Sequence, residues 1–265
     1  MKEKNNLKPI VRWTIGDVSE NGFICLEHSI RNFIKNYENK FNYYVCYNTI
    51  NEKKLNYVKK YPVKLLNQNN YVKELKIKPK NHPCWKLFPP RININTHEIF
   101  IDNDLVLYEK LPLINKFLKN NDVLIITEAR SRAYGNFSKL VKTEDNMNTG
   151  FFGLYPNFDF KKEINKVLNK KIIENWNVHW DEQGLVAYIF EKYNYNLIST
   201  RKIFAGIKKL PLTDGTKGIH YIGLNRKKPK NYKDDVFEQN LKQNAKNFSL
   251  NDISNFNIIN NILLY

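Results

Sequence analysis

Glu98-Ile-Phe-Ile-Asp-Asn-Asp-Leu-Val-Leu107 is the stretch around which the rest of the chain is read. Glu98 to Ile101 predicts a short, mostly apolar strand. Asp102-Asn103-Asp104 interrupts it, and apolar residues resume at Leu105, Val106 and Leu107. An apolar run broken by acids predicts a buried strand whose polar end opens on a cleft. In extended chain, residues two apart point the same way, so Asp102 and Asp104 would place both carboxylates on one side. Carboxylates so placed repel unless a cation lies between them or one is protonated. A hard divalent ion relieves that repulsion and leaves coordination positions for phosphate oxygens. Asp-Asn-Asp is also good turn chemistry. The apolar residues on both sides favour a site, because a surface turn does not need them.

At 265 residues the chain can hold one large domain or a domain with a small appendage. Hydrophobic residues make up 42% and aromatics 14%, enough for a core. The net charge is +17, from 43 Lys and Arg against 26 Asp and Glu. Such a surface attracts nucleic acid, anionic headgroups or phosphorylated substrates. The Lys are spread along the whole chain, however, and are equally read as solvated surface. Cys25, Cys46 and Cys84 lack metal-type spacing, and their odd number predicts reduced thiols in a cytoplasmic protein. Met1-Lys-Glu-Lys-Asn-Asn6 is polar and unlike a signal peptide. No run approaches the roughly 20 apolar residues that span a bilayer, so any membrane contact is expected to be peripheral.

Ile10–Ile15 predicts a first strand, and Phe41–Tyr47 a second. Between them Phe23, Leu26, Ile30, Phe33, Ile34 and Tyr37 recur at helical spacing, with Ser19 as the N-cap. This strand–helix–strand unit opens many parallel nucleotide-binding sheets. It lacks both G-x-G-x-x-G and the P-loop signature. Ligands bind at the carboxyl ends of such strands, which makes Asp17 and Ser19 candidates for nucleotide contact, with helix capping as the alternative. Lys86 and Arg91 precede the acidic stretch and are candidates for binding a diphosphate. Asp122–Thr127 and Met147–Pro156 predict further strands, and Phe158–Ile173 a Lys-rich amphipathic helix. Asp181 and Glu182 stand at the start of another helix, where its dipole favours ionised carboxylates. His220 lies among apolar neighbours, followed by Gly223. The predicted organisation is a principal domain over residues 1–230 and a helical tail over 231–265.

In this order the motifs resemble those of the GT-A nucleotide-sugar-dependent glycosyltransferases, and more loosely the galactosyltransferase-like group among them. Asp102-Asn103-Asp104 resembles their D-x-D motif. Asn148-Thr149-Gly150 is similar to the segment lining the sugar pocket. Asp181-Glu182-Gln183 is similar to the acidic segment near the reaction centre, and His220-Tyr-Ile-Gly223 to the H-x-x-G motif whose His completes the metal site. The pattern is left after Pro229, where Lys230 stands in place of Trp. The resemblance implies an α/β fold with a mixed, mainly parallel central sheet flanked by helices. It also implies transfer of a sugar from a nucleotide-diphosphate donor to a glycan, lipid-linked or surface-polysaccharide acceptor. Asp104 and His220, with Asp102, would hold a divalent ion. The mixed oxygen and imidazole set suits Mn²⁺ better than Ca²⁺, with Mg²⁺ as the alternative. Asn103, Asn148, Thr149, Gly150 and Gly223 would join Asp17, Ser19, Lys86, Arg91 and Asp102 around the donor. Asp181, with Glu182 as alternate, would face the sugar or acceptor.

A basic nucleic-acid-binding or nucleotidyl-transfer protein is the competing function, since such enzymes also use D-x-D pairs. The chain has no helix-turn-helix, zinc-finger or RNP motif in its favour.

Overall fold

The computed structural model describes residues 7–77, 82–128, 132–170, 180–205 and 215–222. The chain enters through β1 (Ile10–Ile15), α1 (Glu20–Tyr37) and β2 (Asn42–Tyr47), the expected strand–helix–strand unit. Ser19 caps α1, its hydroxyl accepting from the Gly22 N–H at 3.1 Å. A short helix α2 (Glu52–Val58) leads to β3 (Lys64–Asn67). Residues His82–Leu87 form a 3-10 turn, and Pro89 and Pro90 follow outside any helix.

The acidic stretch is divided between two strands. Its first part is β4 (Glu98–Asp102) and its last is β5 (Leu105–Leu107). Asn103 and Asp104 form a turn between them. The carboxylates are thus brought together by a turn rather than by alternation along one extended strand, and the turn and site readings of Asp-Asn-Asp hold together. Then come α3 (Pro112–Phe117), β6 (Val123–Thr127), β7 (Met147–Leu154), α4 (Phe160–Asn169) and α5 (Asp181–Phe190). Short strands β8 (Tyr195–Ile198), β9 (Ile203–Ala205) and β10 (Gly218–His220) complete the described elements. α4 ends at Asn169 with Lys170 as its C-cap; residues 171–173 of the expected helix, the tail over 231–265 and Gly223 lie outside the described residues.

Among these residues a seven-stranded sheet has the order β3-β2-β1-β4-β7-β6-β8. Only β7 runs against its neighbours; the others are parallel. This is the mixed, mainly parallel sheet expected. A smaller sheet, β5-β10-β9, branches from it after the acidic turn. Side chains alternate across the large sheet. Ile99 and Ile101 enter the core under α1 and α3, with Val11, Trp13, Leu26, Phe33 and Phe117. Phe100 enters the opposite core under α4 and α5, with Phe152, Phe160, Leu185 and Phe190. Each fully buried aromatic contributes about 1.5–3 kcal/mol relative to exposure. With helices on both faces, the central strands can be apolar throughout, and every residue of β7 is buried.

One polar group in this interior has a structural task. Arg12, 1% exposed, lies on the Phe100 side of β1. It pairs with Glu98 at 3.0 Å and donates to the carbonyls of Lys86 and Pro89, both at 2.7 Å. Gln68 fastens the same loop through the carbonyls of Trp85 at 2.6 Å and Phe88 at 2.7 Å. These donors fix the backbone of the segment that carries Lys86. An Arg between Val11 and Trp13 in an apolar strand is the sequence signal for such a clamp.

Candidate active site

Asp102 ends β4, so its carboxylate stands at the carboxyl edge of the parallel strands, where open α/β sheets bind ligands. Thr14 is in register with Asp102, which brings the Gly16–Ser19 loop out beside the acidic turn. The route to His220 runs through the small sheet. β10 pairs antiparallel with β5, with His220 opposite Leu105. The Tyr221 N–H donates to the Asp104 carbonyl at 2.7 Å, which pins the end of β10 to the turn. His220 Nε2 therefore faces Asp104 Oδ1 at 3.2 Å and Asp102 Oδ2 at 3.8 Å. One donor atom from each of Asp102, Asp104 and His220 lies within 4.8 Å of the others.

Gly150 makes room for the imidazole. A Cβ at this position would stand 2.3 Å from His220 Cε1, closer than any real contact allows. Asn148 sets the local backbone by accepting from the Gly150 N–H at 2.7 Å, while its amide donates to Glu128 at 2.6 Å. Thr149 turns its hydroxyl to Glu182 Oε2 at 3.0 Å. Lys86 lies between the two acidic groups, with Nζ 2.7 Å from Asp102 Oδ1 and 3.6 Å from Glu182 Oε2. It also donates to the carbonyl and hydroxyl of Thr149, at 3.1 and 3.3 Å.

The electrostatics follow from burial and these neighbours. Burial pushes the Glu182 carboxyl up to about 7, with Lys86 opposing. The dipole of α5 was expected to keep this carboxyl ionised. A helix terminus is worth about 0.3–1 kcal/mol, and full burial outweighs it. Burial pulls Lys86 down, but the charges of Asp102 and Glu182 outweigh it and hold the ammonium above its usual range. His220 is likewise pulled down by burial but held above its ordinary value by Asp104 and Asp102. Glu182 Oε1 and His220 Nδ1 are buried and have no hydrogen-bond partner among the described residues.

Four of the expected site residues are placed elsewhere or otherwise engaged. Arg91 does not reach the acidic turn. Its guanidinium pairs with Glu98, at the opposite end of β4, and donates to the carbonyls of Tyr155, Phe158, Asn93 and Thr96. Both carboxylate oxygens of Asp181 are engaged by Asn136. They accept from the Asn136 N–H at 2.7 Å and the Asn136 amide at 3.1 Å. They thereby hold a 3-10 turn that begins at Gly135, where φ is +53° and a Cβ would stand 2.3 Å from Asp181 Oδ1. Nor does Asp181 cap α5; Trp180 is the N-cap and makes no side-chain cap bond. The Asn103 amide donates to the Gly22 carbonyl at 3.1 Å and ties the turn to the start of α1. Ser19 acts as the helix cap, and Asp17 is exposed at the neighbouring strand end. Glu128, not expected as a site residue, joins the cluster's edge together with Gln183. Gln183 Nε2 donates to the Ala133 carbonyl at 2.9 Å and to Glu128 at 3.4 Å.

No protein-family model matches the chain, and a search of curated proteins returns no match. Solved structures do match. The apo structure of WbbM, a bifunctional glycosyltransferase, aligns with a TM-score of 0.61 at 15% identity over 91% of this chain and 50% of that one. The galactosyltransferase LgtC, in complex with donor and acceptor sugar analogs, aligns with a TM-score of 0.59 at 12% identity over 87% and 94%. Apo GlyE, a glycosyltransferase of Streptococcus pneumoniae TIGR4, aligns with a TM-score of 0.55 at 14% identity over 88% and 60%. The chain thus spans about half the length of WbbM. At these identities the likeness is one of fold, and the fold is that of GT-A-type glycosyltransferases.

Proposed function

We propose that this chain is a metal-dependent glycosyltransferase that moves a sugar from a nucleotide-diphosphate donor to a glycan or lipid-linked acceptor. The observation that carries the reading is the convergence of Asp102, Asp104 and His220 at the carboxyl edge of the sheet, with Lys86 and Glu182 alongside. Two carboxylates and an imidazole, two of the three side chains buried, make a donor set that fits a divalent ion, Mn²⁺ ahead of Mg²⁺. Such an ion supplies an electrophile for the charge developing on a departing nucleotide diphosphate. Lys86 adds a fixed positive charge beside that position. Thr149 orients Glu182 by donating to Oε2, which leaves Oε1 to meet a sugar hydroxyl. With its carboxyl at about 7, Glu182 can take the acceptor's proton if the reaction inverts, or steady the donor sugar if it retains. Glu182 therefore replaces Asp181 as the group assigned to the reaction centre. Asp17 and the loop around it are assigned to the nucleotide.

The test is thermal unfolding with uridine, guanosine and cytidine diphosphates, each with and without Mn²⁺. A ligand that binds only the folded state stabilises it by RT ln(1 + [L]/Kd). Stabilisation by one nucleotide that requires Mn²⁺ is the expected result. Tight, salt-dependent binding of DNA or RNA with no nucleotide response would overturn it in favour of the nucleic-acid reading. Among the described residues no helix is long and apolar enough to cross a membrane. Contact with anionic membranes, if the distributed Lys provide it, should weaken steadily with salt, since exposed charges are screened over about 8–10 Å. Vesicle binding unchanged by salt would contradict that.

A further inference from the structure

We infer that Lys86 is the built-in countercharge of the Asp102/Asp104 pair and sets how tightly the site takes a divalent cation. The inference rests on reading the Asp102, Asp104 and His220 group as a cation site, and adds to it a residue that opposes the ion. The two oxygens of Asp102 face different partners. Oδ1 is 2.7 Å from Lys86 Nζ, while Oδ2 lies 3.8 Å from His220 Nε2. Half of this carboxylate is thus already committed to a protein cation. Lys86 is 6% exposed, and its ammonium is directed by Asp102 and by the carbonyl and hydroxyl of Thr149. It cannot withdraw by moving its loop, because Arg12 and Gln68 hold the carbonyls of Trp85, Lys86, Phe88 and Pro89.

The chemistry follows from charge counting. Two adjacent acids with no cation repel each other, and a cation entering such a site gains the whole relief of that repulsion. Here Lys86 has supplied part of the relief beforehand, so less remains for the ion to gain. The ammonium also repels the ion directly. Even at the dielectric of water, a unit charge about 4–6 Å from a dication weakens its binding by about ten- to thirtyfold. A free divalent ion should therefore bind weakly. An anion that covers both charges, such as a nucleoside diphosphate, would remove the conflict by accepting Lys86 and the ion together.

The probe is Mn²⁺ alone, followed by the electron paramagnetic resonance signal of the free ion during titration of the purified protein. Lys86→Met removes the charge, and Lys86→Arg keeps it. Lys86→Met is expected to bind Mn²⁺ about ten- to thirtyfold more tightly than wild type, with Lys86→Arg close to wild type. Should Lys86→Met fail to fold, Lys86→Gln removes the same charge while keeping a donor for Asp102. Equal or weaker binding by the neutral variants overturns the countercharge role and leaves the triad standing as a cation site. Absence of Mn²⁺ binding in wild type and all variants overturns the triad reading, and the countercharge with it.

Discussion

Replacing Glu182 by Gln keeps the size and polarity of a fully buried side chain and removes only its ionisation. The folded protein holds this carboxyl at about 7, against an ordinary value of 4.5. Ionising it inside the protein therefore costs about 3 kcal/mol more than in the unfolded chain. The sign is fixed by the direction of the shift. Below pH 4.5 both states are protonated and nothing is lost. Between 4.5 and about 7 the unfolded chain releases the proton while the folded one keeps it, so stability falls as pH rises, and above about 7 the loss is complete. Glu182→Gln escapes this loss. Part of the loss is already present at pH 5, so relative to wild type its Tm should rise by about 5–10 °C between pH 5 and pH 8.5, at about 2–4 °C per kcal/mol for a domain of this size. The assay is thermal unfolding of both proteins across that range in chelator. Sugar transfer by the variant should fall by about 10²–10⁴, the range for removing a general acid or base. A stability gap that does not change with pH would refute the argument from burial. Wild-type turnover would refute the catalytic assignment.

Asp104→Ala and His220→Ala should each abolish metal-dependent turnover in a protein that still melts cooperatively, and Asp102→Ala should cost at least as much as His220→Ala; full activity of Asp104→Ala in chelator would end the metal assignment. Gly150→Ala drives a methyl group into the His220 ring, and the strand or the ring must yield. It should lower stability by about 1–3 kcal/mol by overpacking, and weaken Mn²⁺ binding in the same titration; unchanged affinity would show that the imidazole does not depend on this gap. Asp181→Asn should lose about 1–2 kcal/mol through its bonds to Asn136, with transfer near the wild-type rate. A loss of turnover comparable to that of Glu182→Gln would return Asp181 to the reaction centre.

The central elements of the large sheet were legible because each carries its own local signal. The apolar run of β1, the helical stripe of α1 with its Ser19 cap, and the polar entry and apolar second half of β7 can be read without knowing their partners. The pairing of Asp104 with His220 was legible only through motif order. Nothing local in Gly218-Ile-His220 says that it docks antiparallel to Leu105–Leu107, because β10 is three residues long and its register is set by tertiary contacts. Asp181 and Glu182 show the limit most plainly. Neighbours at a helix start point in different directions, and sequence places both at the site. The partners separate them, with Asn136 taking Asp181 and Thr149 taking Glu182. Arg91 was misplaced for a related reason. Nearness in sequence to the acidic strand put it by Glu98, at the strand's far end.

Asp102 belongs to the seven-stranded sheet and His220 to the three-stranded one. The strands β9 and β10 have only three residues each, too few to hold together without support. An ion gripping both residues would act as a cross-link between the two sheets, and part of its binding energy would be spent on ordering the smaller one. Occupancy of the site would then be audible far from the chemistry, as slowed hydrogen exchange at the amides of Ile219 and Tyr221. The small sheet would serve as the protein's own gauge of whether an ion is in place.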